Sequence, residues 1–197
     1  DDENLGGVLL APAEDIDAAK INFMARQARG LICLSLTAER CETLRLPLMV
    51  SASQSVHGSR FTVSIEAAEG ISTGISAADR AHTIRTAVAR GAQPRDLVQP
   101  GHVFPLRAEP GGVLKRAGHT EGGCDLARLA GFEPAAVLAD VLNDDGTLAT
   151  GARLLEFAAC HGLRVGTIAG LIQFRLSNET TVHRIREGEV QTAHGAF

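Results

Sequence analysis

The sequence predicts an α+β domain built as a three-layer mixed sheet with helices on both faces. Segments of helical periodicity alternate along the chain with strand-like segments, and the latter include both continuously apolar and alternating patterns. This mixture is typical of a sheet with buried and half-exposed strands, and it disfavours a helical bundle or a sandwich. With 197 residues, 45% of them hydrophobic, the chain can bury one sizeable core.

The first predicted elements are a helix and a buried strand. Apolar residues recur at helical spacing across residues 15–30, and Gly30 stands where a left-handed C-cap would end the helix. The apolar run LICLSL at 31–36 follows directly, and its length predicts a buried strand.

A half-exposed strand and a second helix are predicted next. The segment FTVSIE alternates strictly, which places three apolar residues on one face: Phe61, Val63 and Ile65. Ser76 is followed three residues later by Asp79 in a capping-box pattern. A helix is therefore expected to begin there and to run to Gly91.

The second half of the chain continues the alternation. HVFPL at 102–106 predicts an interrupted strand, and Pro105 places it near an edge or end of the sheet because proline cannot donate to a ladder. Thr120 is placed to cap a helix that ends at Gly131. The remaining predicted elements are a buried strand over 135–142 with Asp140 inward or at its end, a turn over 143–146, a helix near 150–161, a strand over 164–168 and a helix near 169–175.

Composition narrows the classes of partner. A formal net charge of -4 argues against a general nucleic-acid binder, and the absence of Trp and Tyr removes most base-stacking platforms. No apolar stretch is long enough to span a membrane, and no leader precedes the first element, so a soluble protein is expected. Four scattered cysteines without a CxxC pair favour the reducing cytoplasm. Small polar ligands fit this composition best.

One loop, EPGGVLKRAGHTE at 109–121, concentrates residues that could carry chemistry. Arg116, Gly118 and Thr120 combine a guanidinium, flexible backbone and a hydroxyl at a predicted helix start, where an anion such as phosphate is favoured. His119 lies among them and could bind a divalent metal or move a proton. The alternative interpretation is a glycine-rich turn whose threonine only caps the helix.

Four further positions each allow a functional and a structural interpretation. His102 could act as a general acid or base, or be a partly buried histidine. Asp140 could cap a neighbouring loop or work in a site, and Cys33 is most simply a core residue. The start DDENLGG, which includes Glu3, could bind Mg²⁺ or form a solvated chain end.

Longer stretches of the chain resemble a known family. They are GLICLSLTAER, FTVSIEAAEGISTGISAADRAHTIR, PGHVFPLRAEPGGVLKRAGHTEGGCDLARLAGFEPAAVL and NDDGTLA. Together they resemble the 3,4-dihydroxy-2-butanone 4-phosphate synthase family of riboflavin biosynthesis, from about Asp1 to Arg175. The last segment, VHRIREGEVQTAHGAF, resembles the linker that leads into a GTP cyclohydrolase II domain in bifunctional members.

The resemblance implies a synthase-like domain over residues 1–175 and a tail or linker over 176–197. It implies a homodimer with its site at the interface, D-ribulose 5-phosphate as substrate and Mg²⁺ or Mn²⁺ as cofactor. The implied site residues are His119 and Glu3 on the metal, Arg116, Gly118 and Thr120 on the substrate and its phosphate, and His102, Asp140 and Cys33 around the reacting carbons.

Two departures from the family pattern leave three hypotheses open. The family's acidic loop reads DDEDRENEGD where this chain has DDENLGGV, and Asp140 stands where the family has glutamate. The chain is either an active synthase, a degenerate domain with a structural or dimerising role, or a sugar-phosphate enzyme with altered chemistry. Loss of several groups that act as a unit would suppress turnover strongly.

Overall fold

The computed structural model describes residues 6–50, 59–180, 188, 191–193 and 195–196. Its centre is a five-stranded mixed sheet of order β1-β5-β2-β4-β3, in which β2 and β4 are parallel and the other neighbours antiparallel. The strands are β1 Val8–Pro12, β2 Cys33–Leu36, β3 Ile65–Ala67, β4 Leu97–Arg107 and β5 Ala135–Asp140.

Helices flank this sheet, and a short hairpin lies near the chain end. The helices are α1 Ala18–Phe23, α2 Ala38–Thr43, α3 Ala77–Val88, α4 His119–Leu129, α5 Gly151–Cys160 and α6 Ile168–Asn178. A π-helical turn, Met24–Ala28, prolongs α1, and 3-10 turns occupy Pro94–Asp96 and Gly112–Leu114. Two-residue strands β6 Gln191–Thr192 and β7 Gly195–Ala196 pair with each other.

The two faces of the sheet carry separate apolar clusters. The larger cluster includes Leu34 and Val137 from the sheet, with Ile21 and Ile84 from α1 and α3. The smaller cluster on the other face consists of Cys33, Leu106, Ala136 and Leu138. Helix α4 packs on that side, against β5 and β2. The predicted three-layer α+β architecture is therefore confirmed.

Several local predictions are confirmed. Ser76 caps α3, with its hydroxyl accepting from Asp79 N at 3.0 Å. The buried strand at 31–36, the turn at 143–146 and the helix near 150–161 also form, as β2, a turn with Gly146 in the left-handed region, and α5. Strand β1 and helix α2 were not predicted.

Within the described ranges, none of the helices has the length and apolarity that crossing a membrane requires.

The predicted role of Gly30 is wrong. The left-handed residue that ends the first helical segment is Arg29, with φ 69°. Gly30 is instead needed for a close approach, because a Cβ there would overlap Asp140 O and lie 2.6 Å from Asp140 N. The glycine thus allows the start of β2 to pass against the end of β5.

The predicted alternation at 61–66 is also wrong. Phe61 packs against the smaller cluster, whereas Val63 packs against the larger one and Ile65 belongs to it. Residues 63–64 lie outside a strand, and this interruption lets the chain change face before β3 begins.

Two further strand predictions need correction. The segment HVFPL belongs to the long β4, which lies between β2 and β3, and Pro105 falls beyond the part that β3 pairs. Its carbonyl still accepts from Thr62 N at 3.0 Å. Residues 164–167 form no strand, since Val165 is 57% exposed and Thr167 caps α6 by accepting from Gly170 N.

Candidate active site

The sheet brings three of the predicted site residues to one end. Cys33 on β2 is paired with Leu138 on β5 and with Phe104 on β4. Strand β4 is parallel to β2, so two residues before Phe104 it carries His102 at the end of the sheet where β2 begins. Strand β5 is antiparallel to β2, so two residues after Leu138 it carries Asp140 at the same end. The two residues therefore flank β2 from opposite sides.

Asp140 acts electrostatically on both Cys33 and His119. Burial and, to a lesser extent, the Asp140 carboxylate together raise the pKa of the Cys33 thiol to about 12. Desolvation by surrounding protein lowers the pKa of His119, while Asp140 opposes this shift. At neutral pH the site therefore holds a thiol and a neutral imidazole. Asp140 is thus close enough to both Cys33 and His119 to act on each of them.

The carboxylate of Asp140 is accessible. The residue is the last of β5 and is exposed, so the prediction of an end-placed acid is correct and the inward alternative is wrong. Across the part of the chain that the structure describes, its carboxylate forms no hydrogen bond. It can therefore accept a hydrogen bond or a proton from a ligand.

Helix α4 begins two residues earlier than predicted. Gly118 is the N-cap and its carbonyl accepts from Gly122 N at 2.9 Å, so Thr120 lies in the first turn and does not cap the helix. His119 is the first helical residue. The N–H groups of a first turn lack intrahelical acceptors, which leaves them available to an anion.

Arg116 is oriented by a buried acid that sequence analysis missed. Its Nη1 donates to Glu121 Oε1 at 3.2 Å, and the same oxygen accepts from Glu109 N at 2.9 Å. The Glu121 side chain is completely buried. A buried carboxylate needs such partners. The pair fixes the guanidinium beside the start of α4.

His102 also has a partner that sequence analysis missed. Its Nδ1 contacts Glu66 Oε1 on β3. Along the pairing of β3 with β4, Ile65 is opposite Val103 and Glu66 is opposite Val98, so residues 99–102 form a bulge. Bulges commonly re-aim side chains next to active sites. The Pro-Gly pair at 100–101 is a local sequence signal of such an irregularity, although the contact with Glu66 depends on the partner strand.

The donors suit a divalent metal only in part. Among the residues that the structure describes, no group of three or more His, Cys, Asp or Glu side chains is arranged to hold one. His119 offers a neutral nitrogen and the nearby Asp140 a carboxylate oxygen, both suitable donors for Mg²⁺ or Mn²⁺. Glu3, the other predicted ligand, lies outside the described residues.

A cleft of about 330 Å³ lies elsewhere, between α2 and the end of α3. Its charged groups compensate each other, because Glu133 lies 3.6 Å from Arg40 Nη2 and 2.9 Å from Arg90 Nε. It contains none of the predicted site residues.

The comparison with known families decides the membership of this chain. The family model described as 3,4-dihydroxy-2-butanone 4-phosphate synthase matches residues 1–174. The chain belongs to this family. The resemblance inferred from the sequence motifs is thereby confirmed.

Family members of known sequence and structure cover the chain well. A 3,4-dihydroxy-2-butanone 4-phosphate synthase of Pseudomonas syringae is 61% identical over all of this chain and 53% of its own length. The chain thus spans about half the length of the curated relatives it matches.

Two solved structures of family members superimpose closely. A two-domain synthase from A. baumannii has a TM-score of 0.91 at 54% identity, covering 100% of this chain and 57% of that one. A synthase described in complex with two magnesium ions has a TM-score of 0.85 at 40% identity, covering 88% and 86%.

Proposed function

We propose that this chain carries a synthase site of the riboflavin pathway, converting D-ribulose 5-phosphate to 3,4-dihydroxy-2-butanone 4-phosphate and formate. The observation that carries the proposal is the shared environment of Cys33, His119 and Asp140 beside the start of α4. Because the chain belongs to the synthase family, we assign the synthase reaction to this arrangement.

The start of α4 would bind the phosphate. Arg116 supplies the charge, with its orientation fixed by Glu121. Gly118 lets the backbone approach the ligand, and Thr120 in the first turn adds a hydroxyl beside the first-turn N–H groups.

His119 and Glu3 would hold Mg²⁺ or Mn²⁺. A lowered pKa keeps the His119 imidazole neutral, which is the form that binds metals. These residues would place the cation where it could supply polarisation of the sugar carbonyl and so favour enolisation. The magnesium ions of the related synthase support this assignment.

The other residues would manage protons around the reacting carbons. Asp140 carries an accessible carboxylate at the sheet end and can take a proton from the sugar. His102 can return or accept a proton through its second ring nitrogen. Cys33 has a pKa of about 12, so it contacts the substrate as a neutral thiol and does not attack it.

The assembly is part of the proposal. We infer a homodimer with the site at the interface, because apolar residues beside the smaller cluster remain only half-buried: Val8, Leu10, Phe61 and Phe104. Residues 1–175 would form the synthase domain, and 176–197 would lead into a second half such as a GTP cyclohydrolase II domain. Relatives about twice as long support this. A cytoplasmic location and a lack of nucleic-acid or membrane partners complete the proposal.

Two observations favour a second candidate, a degenerate domain with a structural, dimerising role. Asp140 is one methylene shorter than the glutamate implied by the family pattern, and the Arg116 guanidinium is already paired with Glu121. In that case the fold would persist while turnover is lost.

Formate release distinguishes the two candidates. The full-length protein is incubated with D-ribulose 5-phosphate and Mg²⁺, and formate is measured with formate dehydrogenase. We expect steady turnover that falls at least about 100-fold in His119→Ala. The matched control His82→Ala alters a histidine on α3 that contacts Glu69 O and should leave turnover unchanged. A folded wild-type protein without formate release would refute the synthase activity.

A further inference from the structure

The carboxylate of Glu66 is shielded while its histidine partner keeps access to solvent. The Glu66 side chain is 15% exposed and that of His102 is 46% exposed. Glu66 Oε1 contacts His102 Nδ1 across the bulge at 99–102. The contact therefore restrains one ring nitrogen and leaves the opposite edge of the imidazole facing outward.

Two glycines close around this contact. A Cβ at Gly74 would overlap Glu66 Oε1 and lie 2.9 Å from His102 Nδ1. A Cβ at Gly101 would overlap the Ile65 carbonyl and lie 2.5 Å from Glu66 Cγ. The space around the carboxylate is thus built from backbone that only glycine permits.

A second acid fixes the loop that carries Gly74. Asp79 accepts from Ser72 N at 3.2 Å, from Ser72 Oγ at 2.7 Å and from Gly74 N at 3.1 Å. The bulge is fixed as well, since Gly101 N donates to Ser64 Oγ at 3.0 Å. Both walls of the Glu66–His102 contact are therefore anchored to neighbouring elements.

We propose that Glu66 is the positioning residue for His102, selecting its tautomer and ring orientation for the reaction. An ionised carboxylate only accepts hydrogen bonds, so Nδ1 carries the proton and the neutral ring presents the lone pair of Nε2. Nε2 is then the ring atom through which His102 accepts or returns a proton in the reaction. This inference rests on the proposed function, because it assigns His102 to that reaction.

The tautomer can be measured without substrate. Long-range ¹H–¹⁵N correlation spectra of the full-length protein at alkaline pH distinguish the two neutral forms, and His102→Gln identifies the signal. We expect the Nδ1–H form in the wild type and a shift toward Nε2–H in Glu66→Ala. An Nε2–H wild type, or an unchanged tautomer in Glu66→Ala, would overturn the proposal.

Kinetics test whether the pairing serves the reaction. We expect Glu66→Ala to lower kcat at least about tenfold with KM within about twofold, because a proton transfer is impaired and binding is not. Glu66→Gln keeps a hydrogen-bond acceptor of the same shape and should restore part of kcat. Glu69→Ala, at an exposed acid three residues along the chain, is the matched control and should behave as wild type.

A second variant keeps the proposal testable if Glu66→Ala does not fold. Gly74→Ala retains the carboxylate but displaces it, so it should reproduce both the tautomer shift and the loss of kcat. An unchanged kcat in a folded Glu66→Ala would refute the role in the reaction even if the tautomer shifts. A wild-type protein that releases no formate would refute the proposed function, and the tautomer result would then still decide the pairing.

Discussion

Asp125 and Asp140 illustrate two uses of a carboxylate in this molecule. Asp125 on α4 is buried and accepts from Arg175 Nη1 and from Val113 N, each at 2.8 Å. Asp140 at the end of β5 is exposed and, within the described residues, accepts no hydrogen bond. A carboxylate with buried partners, such as Asp125, stabilises the packing of the elements around it. A carboxylate left accessible beside Cys33 and His119 is available to a ligand.

The Asp125 network holds the loop at 109–121 in place. Arg175 on α6 is buried, and its Nη1 also donates to Gly111 O at 3.0 Å. Its Nε donates to Glu179 at 2.9 Å. One side chain thus joins α6, α4 and the loop that precedes His119.

The largest expected effect is on stability. Arg175→Ala removes the nearer charge partner of the buried Asp125 and leaves Arg128 Nη2 at 4.0 Å, so we expect a loss of about 3 kcal/mol in the free energy of unfolding. Asp140→Asn should change that free energy by less than about 0.5 kcal/mol, since its carboxylate is exposed. Urea denaturation at one fixed protein concentration measures both. Equal losses in the two variants would contradict the contrast between these acids.

The reverse is expected for activity. Asp140→Asn removes a base at the sheet end, and formate release from D-ribulose 5-phosphate should fall about 100-fold. Circular dichroism should show the variant folded. Asp144→Asn alters an exposed acid in the following turn and serves as control. Retention of wild-type turnover by Asp140→Asn would remove Asp140 from the proposed mechanism.

The scaffold network should also be sensitive to acid. Hydrogen bonds from Arg175 and then Arg128 lower the pKa of Glu179 from 4.5 to about 2. A lowered pKa in the folded state gives stability that is fully present above pH 4.5 and is lost as pH falls toward 2. The difference in unfolding free energy between wild type and Glu179→Gln should therefore shrink across that window. A difference that stays constant there would contradict the assigned partners.

Short sequence patterns correctly predicted those helices and strands that depend mainly on neighbouring residues. The capping hydroxyl of Ser76 and the apolar run at 31–36 define α3 and β2 through near neighbours alone. The bulge at 99–102 is marked locally by its Pro-Gly pair, but the residue that it places opposite His102 depends on the register with β3. Residues 164–168 show the converse, because a strand-like composition forms a strand only where a sheet edge can accept it.

The candidate site was predictable in its residues and less so in its partners. Cys33, His119 and Asp140 were identified through family motifs, and the structure brings them into one environment. Glu66 and Glu121 escaped notice because each is significant only through a contact that tertiary structure makes. From the sequence alone, a buried or shielded acid cannot be distinguished from an ordinary surface residue.

The proposed binding of a divalent metal by His119 can be measured by electron spin echo envelope modulation of bound Mn²⁺. The full-length wild type should show ¹⁴N modulation from one imidazole, and His82→Ala should show the same. His119→Ala should lose the modulation. Unchanged ¹⁴N modulation in His119→Ala would show that the His119 imidazole does not hold the metal.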